Sequence, residues 1–324
     1  MNRTIRIGIC GYGNLGRGVE SELLKNPDLE AVAVFSRRQI TSNTGLPVVS
    51  IEDAAAWKDK IDVMILCGAS ANDLPTQAPA FAKHFNTVDS YDTHAKIPEY
   101  MQAVDAAAQS GGNLALISVG WDPGLFSLMR LMMGAVIPAG KTYSFWGDGV
   151  SQGHSEVVRG IEGVADAVQY TLPVPRAIER VRNGEQPNLS TREKHTRVCY
   201  VVAEEGADKN RIEAEIKAIP HYFDEYDTTV HFITAEERKA KHSKLPHGGH
   251  TIHIGETGEK NNQVLEFSLK LDSNPDFTAS VLVAYARAVH KLSEKGEKGA
   301  RTLFDIPPVL LSAQDSAVLI RDLL

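Results

Sequence analysis

Ile5-Arg6-Ile7-Gly8-Ile9-Cys10-Gly11-Tyr12-Gly13-Asn14-Leu15-Gly16 decides the fold of the first half of the chain, together with Phe35-Ser36-Arg37-Arg38 further on. An apolar strand-like run feeds a G-x-G-x-x-G turn, and a helix-compatible stretch follows over residues 17–25. Strand, turn and helix in that order form the dinucleotide-binding fingerprint. Gly11 permits the tight turn, Gly13 lets backbone approach a pyrophosphate, and Gly16 lets the helix pack close to the strand. Tyr12, Asn14 and Leu15 complete the loop. The helix N-terminus then offers free N–H groups and a positive dipole end to phosphates.

The second stretch selects the dinucleotide. NAD-binding chains usually carry Asp or Glu about 20 residues after the turn, where it accepts hydrogen bonds from the ribose 2′-OH. Here the apolar run Ala31–Phe35 ends in Ser36-Arg37-Arg38. Two guanidiniums and a hydroxyl suit a 2′-phosphate, and no carboxylate stands there to repel it. The expected cofactor is NADP(H).

The chain has 324 residues, more than one core normally supports, so two domains are expected. Its net charge of -7 argues against a general nucleic-acid surface and leaves Arg37-Arg38 as local chemistry. Cys10, Cys67 and Cys199 form no C-x-x-C pair and suit a reducing cytoplasm. No signal peptide is visible, and no apolar stretch approaches 18 residues, so no membrane association is expected.

Strand-like runs at Ile5–Cys10, Ala31–Phe35, Val63–Cys67, Asn86–Asp89 and Leu114–Val119 alternate with helical ones, notably Leu74–His84 and Ile97–Ser110. Such alternation predicts an α/β domain over residues 1–124: a Rossmann-type, doubly wound parallel sheet with helices on both faces. Ligands of these sheets bind beyond the carboxyl ends of the strands. The segments to inspect are therefore Gly11–Gly16, Ser36–Arg38, Cys67-Gly68-Ala69-Ser70, Ser90-Tyr91-Asp92 and Gly120–Gly124, with Val119-Gly120-Trp121-Asp122-Pro123 expected to touch the cofactor. After Gly124 the pattern changes. Helical signals at Leu125–Val136, Ser155–Ala167, Asn210–Ala218 and Phe277–Glu294 mix with strand signals at Thr142–Trp146, Arg197–Val202, Thr228–Ile233, His250–Ile254 and Gln263–Leu271. They predict a second, α+β domain over residues 125–294 with a mostly antiparallel sheet, for substrate binding. Residues 176–192 read as a surface excursion, and residues 295–324 as a segment folding back on the first domain.

Asp92 and Asp122 interrupt the apolar strand ends that would face the cofactor. A carboxylate there can hold a substrate ammonium or move a proton. Each also fits a structural role, Asp92 as a helix cap and Asp122 as a turn residue before Pro123-Gly124. Trp121 and Trp146 suit the walls of a small, dry pocket, although tryptophans are commonly core. The second domain adds Ser151-Gln152-Gly153-His154, Gln169-Tyr170-Thr171, His195-Thr196-Arg197 and Pro246-His247-Gly248-Gly249-His250. Two histidines three apart invite a metal reading. No acidic or cysteine ligand flanks them and the glycines indicate a loop, so no metal is expected. Anion binding is the more economical role for Arg197 and His247.

These motifs, with Phe145-Trp146-Gly147 and the run from Leu271 through Asn274-Pro275-Asp276-Phe277 to Ser280, resemble the NADP-dependent meso-diaminopimelate D-dehydrogenases over essentially the full length. The resemblance implies a cytoplasmic homodimer of lysine biosynthesis. Such an enzyme oxidatively deaminates the D-centre of meso-2,6-diaminopimelate to L-2-amino-6-oxopimelate, ammonia and NADPH, and runs the reverse reductive amination. By motif match, Asp92, Trp121, Asp122 and Trp146 would surround the reacting end, and Thr171, Arg197, His247 and Asn274 would hold the distant end. Gln152 and Gly153 would line the space between. Glu156 stands where some members carry a shorter Asp. The rival readings are another NADP-linked two-domain dehydrogenase, of homoserine, semialdehyde or dihydrodipicolinate type, and a non-catalytic NADP-sensing module.

Overall fold

Apolar residues that alternate in the strands and recur every three or four positions in the helices set the element order. A computed structural model describes residues 4–324. The chain runs β1 (Ile5–Cys10), α1 (Asn14–Leu23), β2 (Leu29–Ser36), β3 (Val48–Ser50), β4 (Val63–Leu66), α2 (Leu74–Ala82), β5 (Asn86–Asp89), α3 (Ile97–Gly111), β6 (Leu114–Leu116) and α4 (Leu125–Val136). It continues through β7 (Lys141–Trp146), β8 (Gly149–Val150), α5 (Gln152–Arg159), β9 (Val164–Pro173), α6 (Pro175–Arg182), α7 (Thr191–Lys194) and β10 (His195–Ala203). Then come α8 (Lys209–Ala218), β11 (Asp227–Phe232), α9 (Ala235–Lys241), β12 (His247–Thr257), β13 (Asn261–Leu271), α10 (Asn274–Ser293), β14 (Gly299–Arg301) and α11 (Ser316–Leu323). Two compact units result: Met1–Leu128 with Pro275–Leu324, and Met129–Asn274.

The first unit is built on a seven-stranded parallel sheet of order β14-β6-β5-β4-β1-β2-β3. Strands buried on both faces carry near-continuous apolar runs. Ile5, Ile7 and Ile9 of β1 join a core with Val19 and Leu23 of α1, while Cys10 joins a second core with Phe35, Met64 and Leu66, covered by α2 and α3. After β1 the chain moves to one side, to β2, and later to the other, to β4. The crevice at the carboxyl end of β1 is therefore the place where such sheets receive ligands.

α10 corrects the expected domain boundary. Residues 275–294, assigned from sequence to the second domain, belong to the first unit. Leu282, Tyr285, Ala286 and Val289 of α10 are buried in the same core as Val19 and Leu23. Arg287, nearly inaccessible, holds Asp28 at 2.5 Å, Asn26 at 2.7 Å and the Leu311 carbonyl at 2.8 Å. The helix pattern over residues 277–294 is legible in the sequence, but its packing partner lies some 260 positions away.

The second unit holds two sheets where one was expected. One is four-stranded, β11-β10-β9-β8, with β10 and β11 parallel and the other pairs antiparallel; the other, β13-β12-β7, is antiparallel. The helix anticipated over residues 155–167 stops at Arg159, and Val164 already begins β9. A turn at Ile161–Val164 separates them. The anticipated excursion at residues 176–192 contains α6, whose Ala177, Ile178 and Val181 are buried with Tyr143, Phe145, Ile252 and Ile254. Its charged residues recur on the opposite face, which made the stretch look wholly polar. Among the described residues, no helix is long and apolar enough to cross a membrane.

Candidate active site

In the first unit all five segments singled out from the sequence lie at carboxyl ends of strands, and hydrogen bonds join them into one rim. Gly11 N–H donates to the Phe35 carbonyl at 2.8 Å, and Cys67 N–H to the Cys10 carbonyl at 2.7 Å. Arg37 Nη2 contacts Asp73 Oδ1 at 2.6 Å, while Asp73 Oδ2 accepts the Ala69 N–H at 3.0 Å. Ser70 Oγ accepts the Asp92 N–H at 3.1 Å. A Cβ on Gly16 would lie 2.1 Å from the Gly11 carbonyl oxygen, so only glycine lets α1 start this close to the turn.

The residues of this rim suit NADP. Gly13 caps α1 without a side-chain hydrogen bond, no acidic residue occupies the first turn, and space beyond Gly13 is open. Backbone N–H groups therefore face outward with no carboxylate competing for phosphate. Arg37 and Arg38 are exposed, and Arg38 N–H donates to Ser36 Oγ at 3.0 Å. The loop that follows is fastened by Glu20, which is buried. It accepts from Ser42 Oγ at 2.6 Å, from Thr44 N–H at 3.0 Å, and from the Tyr12 and Thr44 hydroxyls. Burial alone would raise the Glu20 pKa, but the hydrogen bonds from Ser42, Thr44 and Tyr12 outweigh it and lower the pKa to about 2.

Asp92 is exposed and is not a helix cap; Thr93 precedes the short helical turn His94–Lys96. Asp122 lies in the turn that ends where α4 begins, so it has the position of a turn residue and a half-buried side chain. Trp121 is mostly buried, edge-on to Phe126 at 5.3 Å. Behind both carboxylates stands Asp89, completely buried at the end of β5. It accepts the Tyr91 N–H at 2.9 Å, the Ser118 N–H at 3.1 Å and the Tyr100 hydroxyl at 2.7 Å. Burial pushes its pKa up to about 6. Asp89 and Glu20 carry no motif; each is a single acid in an apolar pattern, and only the fold shows what each holds.

In the second unit Thr171 and Arg197 are register partners on β9 and β10, and the guanidinium donates to the Thr171 hydroxyl. Arg197 lies over the Tyr226 ring at 3.9 Å. It is buried, and among the described residues its Nε has no hydrogen-bond partner and no carboxylate is paired with it. Burial lowers its pKa, with Tyr226 opposing, yet arginine remains charged. Two residues back on β9, Gln169 is fully buried with its Oε1 unpartnered. A buried cation with an unused N–H, set beside the Thr171 and Gln169 side chains, is suited to receive an anion.

The remaining residues stand nearby in the chain's hydrogen-bond network. Gln152 and Gly153 form the first turn of α5, which is held to Gln169 by Ser151 N–H to the Gln169 carbonyl at 3.0 Å and Gln169 N–H to Ser155 Oγ at 2.9 Å. A Cβ on Gly147 would lie 2.2 Å from the Thr171 carbonyl oxygen, so glycine lets the chain after Trp146 run against β9. His247 Nδ1 lies 2.8 Å from the Gly248 N–H and 3.2 Å from the Gly248 carbonyl oxygen, so the ring is held against its own loop. Asn274 N–H donates to the Leu245 carbonyl at 2.9 Å, placing Asn274 close to Pro246-His247. Glu156 turns to Arg159 at 2.5 Å and is exposed. His250 instead contacts Glu266 at 2.9 Å and Ser268 at 2.8 Å. Among the described residues no group of three His, Cys, Asp or Glu side chains could hold a metal ion.

Residues 120–273 match the family model described as diaminopimelic acid dehydrogenase C-terminal domain. The chain is 62% identical over 323 residues to the meso-diaminopimelate D-dehydrogenase of Lysinibacillus sphaericus, covering 99% of each. Among solved structures it is similar to Corynebacterium glutamicum DAP dehydrogenase in complex with DAP, at a TM-score of 0.93 and 46% identity, with all of each chain covered. It is also similar to an engineered D-amino acid dehydrogenase bound to NADP+, at a TM-score of 0.88 and 44% identity, covering 99% of this chain and 100% of that one.

Proposed function

The chain belongs to the meso-diaminopimelate D-dehydrogenase family, and from that premise we propose how its residues share the work. The protein is an NADP-dependent oxidoreductase acting on CH–NH2. It converts the D-centre of meso-2,6-diaminopimelate and water to L-2-amino-6-oxopimelate and ammonia as NADP+ becomes NADPH, and it runs the reverse reductive amination. The observation that carries the assignment of residues is Arg197, a buried guanidinium with no carboxylate partner among the described residues.

The substrate has two chemically identical amino-acid ends that differ only in handedness. Contacts at one end cannot choose between them; a clamp on the far carboxylate can, because it fixes which Cα–H points at the nicotinamide. Arg197, with Thr171, His247 and Asn274, is that clamp. Positioning of this kind supplies several kcal/mol of the barrier. Gln152 and Gly153 line the middle of the substrate, and Trp146 and Trp121 exclude water at the reacting end.

The bound nicotinamide supplies a hydride acceptor. The rest is acid–base work by this chain. Asp122 takes the proton from the substrate ammonium, directly or through a water, so that the nitrogen lone pair can drive hydride departure. Asp92 orients the amine. Once Asp122 has passed that proton to solvent, it can accept a proton from the water that attacks the iminium carbon, and cleavage of the C–N bond releases ammonia. The Gly11–Gly16 turn would hold the phosphates of the cofactor, and Ser36-Arg37-Arg38 its 2′-phosphate. The segments Cys67–Ser70, Ser90–Asp92 and Val119–Pro123 line the nicotinamide half. We further assign the protein to the cytoplasm, to lysine biosynthesis and to a homodimeric state.

The test is direct. Purified protein is mixed with NADP+ and meso-diaminopimelate, and absorbance at the reduced-nicotinamide band is followed. LL-diaminopimelate, homoserine and a sugar serve as controls. Turnover with the meso isomer alone is expected. Turnover with homoserine or a sugar, or NADP+ binding without any turnover, overturns the assignment.

A further inference from the structure

His195 lies at the start of β10, two residues before Arg197 and on the same face of the strand. It is almost wholly buried. Its Nε2 accepts the backbone N–H of Trp146 at 2.8 Å, and its ring stacks on the Trp146 indole at 5.3 Å with the planes 24° apart. Phe145 closes against the same ring at 6.2 Å. Trp146 is the last residue of β7, in the three-stranded sheet, whereas His195 belongs to the four-stranded sheet. One imidazole thus joins the two sheets at the residue read above as a wall of the pocket.

We propose that His195 is a positioning residue: its neutral imidazole holds the Trp146 backbone and indole at a fixed distance from the Arg197 clamp, and so sets the pocket to the length of the substrate. The proposal rests on the assignment of Trp146 and Arg197 to the substrate.

An acceptor Nε2 requires the ring proton on Nδ1 and an uncharged ring, since an imidazolium has two donors and no acceptor. The surroundings enforce that state. Burial, with Arg197 and Lys194 nearby, pushes the His195 pKa down to about 3. The spacing follows from the strand: residues two apart lie about 6.5–7 Å from each other on one face. The wall and the clamp are therefore referred to the same two-residue stretch of backbone. The sequence contains His195-Thr196-Arg197, but nothing local distinguishes a histidine that accepts from an indole-bearing backbone from one that binds an anion.

The experiment compares His195→Leu, His195→Gln and Trp146→Ala in the full chain, with melting temperature as the control for folding. The Gln amide oxygen can occupy the position of Nε2 and accept the Trp146 N–H; Leu cannot. In His195→Leu the KM for meso-diaminopimelate is expected to rise at least tenfold while the KM for NADP+ stays within twofold. His195→Gln is expected to recover most of that loss. Unchanged substrate constants in His195→Leu, with altered ones in Trp146→Ala, overturn this proposal alone. Unchanged constants in Trp146→Ala overturn the pocket assignment beneath it. A measurement on the unaltered protein stands if the variants do not fold: 15N NMR of backbone-assigned His195 should give a neutral Nδ1–H ring that does not titrate between pH 5 and 9. Titration near the ordinary histidine value overturns the proposal.

Discussion

Asp73 bridges two segments of the cofactor rim: one carboxylate oxygen meets Arg37 Nη2 at 2.6 Å and the other accepts the Ala69 N–H at 3.0 Å. The Arg37 guanidinium is therefore tethered to the loop after β4 while remaining largely exposed. A tethered arginine loses less freedom when it meets a phosphate than a free one. Replacing Arg37 by Asp and Arg38 by Leu should lower kcat/KM for NADP+ about 100-fold and leave that for NAD+ nearly unchanged, as expected for loss of two charge-assisted contacts of about 1.5–3 kcal/mol each, partly offset by residual contacts. Steady-state kinetics with both cofactors check this; a retained preference for NADP+ would remove the 2′-phosphate role from this turn.

Asp122 and Asp92 separate in the same assay. Asp122→Asn should cut kcat roughly 100-fold or more, the range of general acid–base catalysis. Asp92→Asn should raise the substrate KM and reduce kcat less. Near-normal turnover in Asp122→Asn at the pH optimum would place the base elsewhere.

Arg197→Met leaves an anion facing Thr171 and Tyr226 without its partner. Truncating one side of a buried charge pair costs about 2–5 kcal/mol, so the substrate KM should rise by a factor of roughly 30 or more. The KM for NADP+ should hardly move, because Arg197 belongs to the second unit. Lysine at this position should restore little, since it lacks the planar fork.

Glu20 predicts a pH dependence with a defined sign. Its pKa is lowered from 4.5 to about 2 in the folded chain. Its contribution to stability is thus complete above the unfolded value and is lost as pH falls through the folded one. That contribution amounts to about 3 kcal/mol. In urea titrations Glu20→Gln should be less stable than the unaltered protein at neutral pH, and the gap should narrow as pH is lowered from about 5 to about 3. A gap independent of pH would refute the ionised clamp on Ser42 and Thr44.

Asp89 has the opposite thermodynamic sign. Burial raises its pKa to about 6, so its ionised form costs stability at neutral pH; the cost shrinks as pH falls below the folded value and is gone only below the ordinary carboxylate value of 3.8. Both backbone N–H groups, of Tyr91 and Ser118, meet the same oxygen, Oδ1. Asn offers that oxygen and Ala does not. Asp89→Asn should keep kcat within a few-fold and be no less stable at pH 8. Asp89→Ala should lose at least tenfold in kcat, because the segments bearing Asp92 and Trp121-Asp122 are no longer held. Equal activity in the two variants would contradict this.

The parallel sheet and the NADP site are legible in the sequence because their determinants are local: Gly16 must clear the Gly11 carbonyl, and Arg37 follows directly on β2. The residues assigned to substrate were found through motifs. The groups that hold them were not, for a physical reason. Asp89, Glu20, His195 and Gln169 act on residues that only the fold brings to them, and Tyr226 meets Arg197 across 29 positions. A buried acid or histidine has the same sequence signature whether it organises a site or fills a core. The domain boundary was misplaced at α10 for a related reason: amphipathic periodicity specifies a helix but not the core that receives it.

α10 also has a consequence for how the protein is made. A nascent chain emerges N-terminus first, and β1, α1 and β2 leave the ribosome early. Their core stays uncovered until Leu282, Tyr285 and Val289 have been synthesised, and Arg287 cannot meet Asp28 before then. Residues 129–274 can complete their own core in the meantime. Contacts this far apart in sequence form slowly, and exposed apolar strands invite association while they wait. The core of the first unit is therefore completed only by the last fifty residues of the chain.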